Sequence, residues 1–189
     1  MSKRHLIDSI AAEYRRYKAL GDSSLEQVPD DRLSHPGPGG GNSLAIICWH
    51  LAGNLQSRFT DFLTTDGEKP WRQREEEFAQ RSVSRNELLE KWNAGWKVLL
   101  SALDELTDAD LDKTVTIRGQ PLAVHEALHR SLAHASYHVG QIVYVAHSIA
   151  GNTWKYLSIP PGGSQAYNAA PTMEKAASHS ERLTEKQRG

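Results

Sequence analysis

The chain has 189 residues, 39% of them hydrophobic, with a formal net charge of −1. That length supports one domain with a sizeable core, and the charge excludes a nucleic-acid binder led by phosphate contacts. The apolar runs fall far short of the roughly 18–20 residues that span a bilayer, and "MSKRHLIDSI" lacks the apolar stretch of a signal peptide, so the expectation is a cytoplasmic protein with neither nucleic acid nor membrane as partner.

In chain order, residues 2–20 place Leu6, Ile10, Tyr14 and Tyr17 at helical spacing. Gly21 reads as the stop signal. Residues 22–43, rich in Gly, Pro, Asp and Ser, read as a long connection with a short helical turn near 24–27. Asn42 or Ser43 caps a second predicted helix over Leu44–Thr64. Its first half is apolar nearly all round, which predicts a deep position. Cys48, the only cysteine, rules out an internal disulfide and reads as a buried, inert thiol. The charged stretch 71–83, "WRQREEEFAQRSV", reads as a solvated crossover.

Ser84 and Glu87 form an S-x-x-E capping box that opens a third helix over Arg85–Glu105. "KTVTIRG" (113–119) suggests a short extended or hairpin segment. A long fourth helix is predicted from Pro121 to Ile149, with the proline in its first turn. Beyond Gly151, the run Pro160–Gly163 breaks any single helix. From Pro171 the chain is polar and reads as a mobile tail, giving a domain over 1–170 and a tail over 171–189. Four amphipathic helices predict an all-α, four-helix bundle. The long first and second connections mean that its topology need not be simple up-down-up-down.

Two histidine pairs stand four residues apart on the fourth helix, His125/His129 and His134/His138. Such a pair lies about 40° apart on the wheel and one turn apart along the axis, so both imidazoles can reach one ion. The two pairs point to faces roughly 140° apart, and spacing alone scarcely separates them. His50, amid apolar neighbours on the second helix, heads a polar row with Asn54 and Arg58. A polar row in an apolar helix needs satisfaction, either by a site built between helices or by a hydrogen-bond network. His5, His35, His147 and His179 show no ligand pattern.

The stretches "WHLAGNLQSRFTDFLTTDGEKP", "LAHASYHVGQIVY" and "WKYLSIPPGGSQAYN" resemble a bacterial family within the DinB/YfiT-like superfamily, over roughly residues 3–170. The resemblance implies a four-helix bundle of up-down-down-up topology with long crossover connections, often as a homodimer. It also implies a divalent metal, commonly nickel or zinc, on three histidines. Carried over by residue, these are His50, His134 and His138, while His125 and His129 match no ligand. Relatives in the superfamily include thiol-dependent isomerases and S-transferases, whose activity does not transfer with the fold.

Three neutral imidazoles leave such an ion an open position, the pattern of a catalytic rather than a closed structural site. It could acidify a bound water or bind a low-molecular-weight thiol as thiolate. Gln141 and Asn54, each about one turn from a ligand histidine, are candidates to orient the imidazoles or touch substrate. Arg58 could hold an anionic group of a small-molecule substrate or form a structural salt bridge. No carboxylate stands out as a general base, so the catalytic residues are not named. Trp49, Trp92 and Trp96 read as core or as pocket walls, and "SIPPGGS" (158–164) as a lid or dimer contact. The leading expectation is a metal-dependent enzyme, S-transferase-like or hydrolytic. The alternatives are a non-catalytic, stress-related metal-binding protein and a helical bundle acting through its surface.

Overall fold

The computed structural model describes residues 3–186, as a mostly helical chain with one small sheet. Four long helices carry the core: α1 (His5–Leu25), α2 (Leu44–Phe59), α3 (Arg85–Glu105) and α4 (Val124–Ala150). Helix α1 packs on α4 and α3, and α2 packs on α3 and α4. A two-stranded hairpin, β1 (Thr114–Ile117) and β2 (Gln120–Ala123), precedes α4, so the chain is not purely α-helical.

Helix α1 buries Ile7, Ala11 and Tyr14 and runs straight through Gly21. A Cβ at Gly21 would stand 2.6 Å from Trp92 Cζ2 of α3. The glycine is therefore there for close packing, and helix termination waits until Leu25. At the other end of α1, the Asp108 carboxylate accepts the Leu6 and Ile7 N–H groups at 3.1 and 3.0 Å, satisfying two donors that the first turn leaves free. Arg4 donates to the last carbonyls of α3, including Asp104 at 2.9 Å.

Helix α2 is capped by Ser43, whose Oγ accepts the Ile46 N–H at 3.2 Å. Leu44, Ile47, Cys48, Leu51 and Leu55 are buried, as its all-round apolar first half requires. The helix ends at Phe59, not Thr64: Thr60 is extended and Asp61 adopts φ +49°. The Asp61 carbonyl then accepts the Thr64 and Thr65 N–H groups, and the Gly67 N–H joins the Thr116 carbonyl of β1 at 2.8 Å.

Helix α3 has the expected bounds, with both halves of the Ser84/Glu87 capping box formed. Its Trp92 and Trp96 are fully buried core residues. Gly95 lets α2 approach, since a Cβ there would lie 2.6 Å from Ala52 Cα. Pro121 lies in β2 opposite Thr116 rather than in the first turn of α4. The hairpin takes the positions that the helix was expected to fill, and α4 starts at Val124.

The polar C-terminal stretch departs most from expectation. Residues Ser164–Ala169 form α5 and Ala176–Lys186 form α6, which packs along α1. Two side chains one turn apart suffice as anchors. Leu183 is buried, and the His179 imidazole bonds the Leu157 carbonyl at 2.9 Å. The rest of the expected tail, 187–189, lies outside the described residues. Among the described residues, no helix is long and apolar enough to cross a membrane.

Candidate metal centre

His50 leaves α2 towards α4, where His134 and His138 share a face one turn apart. Their Nε2 atoms converge: 3.3 Å separates those of His50 and His134, and 3.1 Å those of His134 and His138. The three histidines lie close enough to hold a metal ion. Two nitrogens each ~2.1 Å from one ion stand ~3.0 Å apart at a right angle and ~3.4 Å apart at the tetrahedral angle. Both observed separations fall in that interval.

The opposite ring atoms explain why the Nε2 lone pairs face inward. His50 Nδ1 lies 2.9 Å from Glu77 Oε2. Arg72 grips both oxygens of the same carboxylate at 2.8 Å each. Burial alone would raise the Glu77 pKa, but the Arg72 and His50 hydrogen bonds outweigh it and hold it below the usual value. A carboxylate kept ionised requires the His50 proton on Nδ1, which bares Nε2. His138 Nδ1 sits 2.8 Å from Gln141 Oε1, which fixes the same tautomer. His134 Nδ1 is buried with no hydrogen-bond partner among the described residues. At most one hydrogen can therefore lie between three nitrogens that crowd together, and a cation at their centre relieves that crowding. The donor set fits a divalent ion.

Electrostatics favour neutral imidazoles at His134 and His138. The pKa of His134 is pushed down to about 3, first by burial and then by His138 and His50, with Arg72 and Arg58 adding to the effect. That of His138 is lowered by burial, partly offset by its Gln141 bond. Neutral rings are the form that ligates.

Beside the histidines lies a cavity of about 190 Å³, whose walls include His50, Asn54, Arg58, Ser131 and His134. Asn54 and Arg58 thus meet the site, as expected of the polar row on α2. Arg58 also pairs with Glu68 at 3.0 Å, the salt bridge of its alternative reading. Gln141 contacts His138 and no cavity-wall role is needed to explain it. His125 and His129 form no such centre: their ring centroids are 6.3 Å apart and His125 Nδ1 bonds the Leu111 carbonyl at 3.0 Å.

Glu77, Arg72 and Phe78 escaped sequence reasoning, because they sit in the stretch read as solvated. Phe78 stacks on His50 with 4.6 Å between centroids. Gly53, three residues after His50, makes room for the carboxylate: a Cβ there would fall 2.8 Å from Glu77 Cδ and closer still to Oε1. The only sequence signals were two aromatics, Trp71 and Phe78, amid the charges and a glycine inside an apolar helix.

A family model described as "Protein of unknown function (DUF1572)" matches residues 1–163. No curated protein matches the chain.

Proposed function

The chain belongs to the DUF1572 family, and from its site we propose that it is a divalent-metal-dependent enzyme acting on a small molecule. The carrying observation is the inward convergence of three Nε2 atoms whose outer ring positions are held by Glu77 and Gln141. His50, His134 and His138 would hold the ion; the resemblance to the DinB/YfiT-like superfamily implies nickel or zinc, both of which imidazole suits. Bound there, it supplies a Lewis acid that activates water or a low-molecular-weight thiol at neutral pH.

The protein's own groups do the rest. Glu77 holds the proton on His50 Nδ1, and Gln141 does so for His138. The cavity beside His50 and His134 supplies room for a substrate, which supports an enzyme over a sequestering protein. S-transfer from a thiol and hydrolysis both use this arrangement, and the thiol reading comes from the resemblance to the DinB/YfiT-like superfamily.

That resemblance also supports an up-down-down-up bundle, and contacts at the helix ends agree with it. Arg4 before α1 reaches the end of α3, and Arg85 at the start of α3 reaches the Leu25 carbonyl, as antiparallel neighbours would. Val83, just before α3, bonds Ser34, while Leu33 accepts the Ala45 N–H of α2. The starts of α2 and α3 thus lie near each other, as in a parallel pair whose long connection runs back. A cytoplasmic homodimer is part of the same reading.

The test is elemental mass spectrometry on untagged protein. About one equivalent of nickel or zinc per chain is expected, lost in a His50→Ala/His134→Ala double variant. No uptake after incubation with excess of either metal overturns the proposal.

A further inference from the structure

The lining of the cavity beside the histidines includes five arginines, Arg58, Arg72, Arg74, Arg118 and Arg130, and no aspartate or glutamate among the described residues. Their ion pairs are fewer than their charges. Glu77 fully occupies Arg72. Glu68 is shared, at 3.0 Å from Arg58 and 3.0 Å from Arg118. Arg74 reaches Glu75 in an exposed pair. The side chain of Arg130, an exposed residue one turn before His134 on α4, makes no hydrogen bond or ion pair among the described residues. Five cations thus meet three carboxylates. The Arg58 pKa is lowered, first by burial, which its pairing with Glu68 opposes, and then by smaller contributions from Arg72 and Arg118. Gathering unbalanced like charges around a hollow is unfavourable unless an anion enters it.

A second observation is conformational. Arg118 has φ +56° and Gly119 φ +71°, the two central residues of a tight hairpin turn that favours Asn-Gly. An arginine there is strained, and strain of this kind collects at ligand sites. Asp66 enforces it, accepting the Arg118 and Gly119 N–H groups at 2.8 and 2.7 Å. The hairpin tip is thereby pinned to the segment after α2, and Arg118 is among the residues that line the cavity.

We propose that this cavity binds the oxyanion end, carboxylate or phosphate, of the small molecule on which the histidine site acts, with Arg118 and Arg130 as its principal anion contacts. The proposal rests on the enzymatic reading above and adds the substrate class. Guanidinium forks match either oxyanion in a two-pronged geometry. His50 and His134 line the same hollow, so an anchored anion leaves the remainder of the molecule beside the imidazoles.

The test is calorimetric titration of full-length protein with inorganic phosphate and, separately, with malonate, at constant ionic strength. Each titration is run on zinc-treated and on chelator-treated protein, so that binding by the arginines is read even if the metal reading fails. At least one anion should bind in both states. Arg118→Asn and Arg130→Gln should each weaken it about tenfold or more. Arg118→Asn should also raise the unfolding temperature, because asparagine accepts positive φ. That separates a lost anion contact from a damaged fold. Phosphate binding alone assigns a phosphate ester or phosphonate, and malonate binding alone a carboxylate substrate. Binding of neither anion, or unchanged affinity in both variants, overturns the proposal.

Discussion

Gly53 and Glu77 show how far a single side chain reaches into the histidine cluster. Glu77 fits only because Gly53 has no Cβ, and only Glu77 holds the outer nitrogen of His50. Gly53→Ala should therefore displace the carboxylate and weaken metal binding on the order of 10–100-fold, the usual effect of losing such a supporting partner. Competition against a chromogenic chelator measures it, and an unchanged affinity would show that Glu77 does not orient His50. A pH effect belongs at the same scale. His134 titrates near 3 when folded and near 6.5 when unfolded, so between those values the unfolded chain binds more protons. Stability of chelator-treated protein should fall as pH drops through 6.5, with the loss complete near 3. Urea unfolding across that range should show a shallower loss for His134→Ala than for wild type. The histidine triad was legible because spacing offered His134/His138 as one of two pairs and the resemblance picked that pair together with His50. Glu77 was not, because one buried carboxylate in a charged run looks like its solvated neighbours.

At the level of elements, what the chain reveals depends on whether the signal is local. The Ser84/Glu87 box is a contact between residues three apart, and α3 begins where it predicts. Ser84→Ala should cost about 1 kcal/mol, read by chemical denaturation. Gly21 misleads because its role is set by Trp92, far away in sequence. Two effects oppose each other there. Replacing a mid-helix glycine by alanine gains roughly 0.5–1 kcal/mol, but forcing a methyl group into a packed contact costs about 1–3 kcal/mol. With Trp92 Cζ2 at 2.6 Å, the second wins, and Gly21→Ala should lower the unfolding midpoint. A raised midpoint would mean that Trp92 swings aside freely. The boundaries of α2 and α4 were misread for the same reason. Pro121 is held in the hairpin, and the segment after α2 is tied to that hairpin through Asp66 and Gly67, contacts that leave only a weak trace in either stretch.

Across the whole molecule, α6 extends the core beyond residue 170. It packs along α1 with Leu183 buried, and His179 ties it to the Leu157 carbonyl, so deleting 171–189 should lower stability by about 2 kcal/mol, the scale of exposing one buried leucine and its surroundings. Matched denaturation curves check this, and identical midpoints would make α6 dispensable. Polar composition hid the helix, since two anchors in nineteen residues form no recognisable stripe. Cys48, by contrast, was readable from its apolar neighbours, and its placement has a consequence for the chemistry. The only sulfhydryl in the chain is walled inside the core, where burial pushes its pKa up. The protein therefore carries no reactive sulfur of its own. Any sulfur nucleophile used at the proposed metal site must arrive as a second substrate, and thiol consumption can be followed in reductant-free buffer with no background from the chain itself.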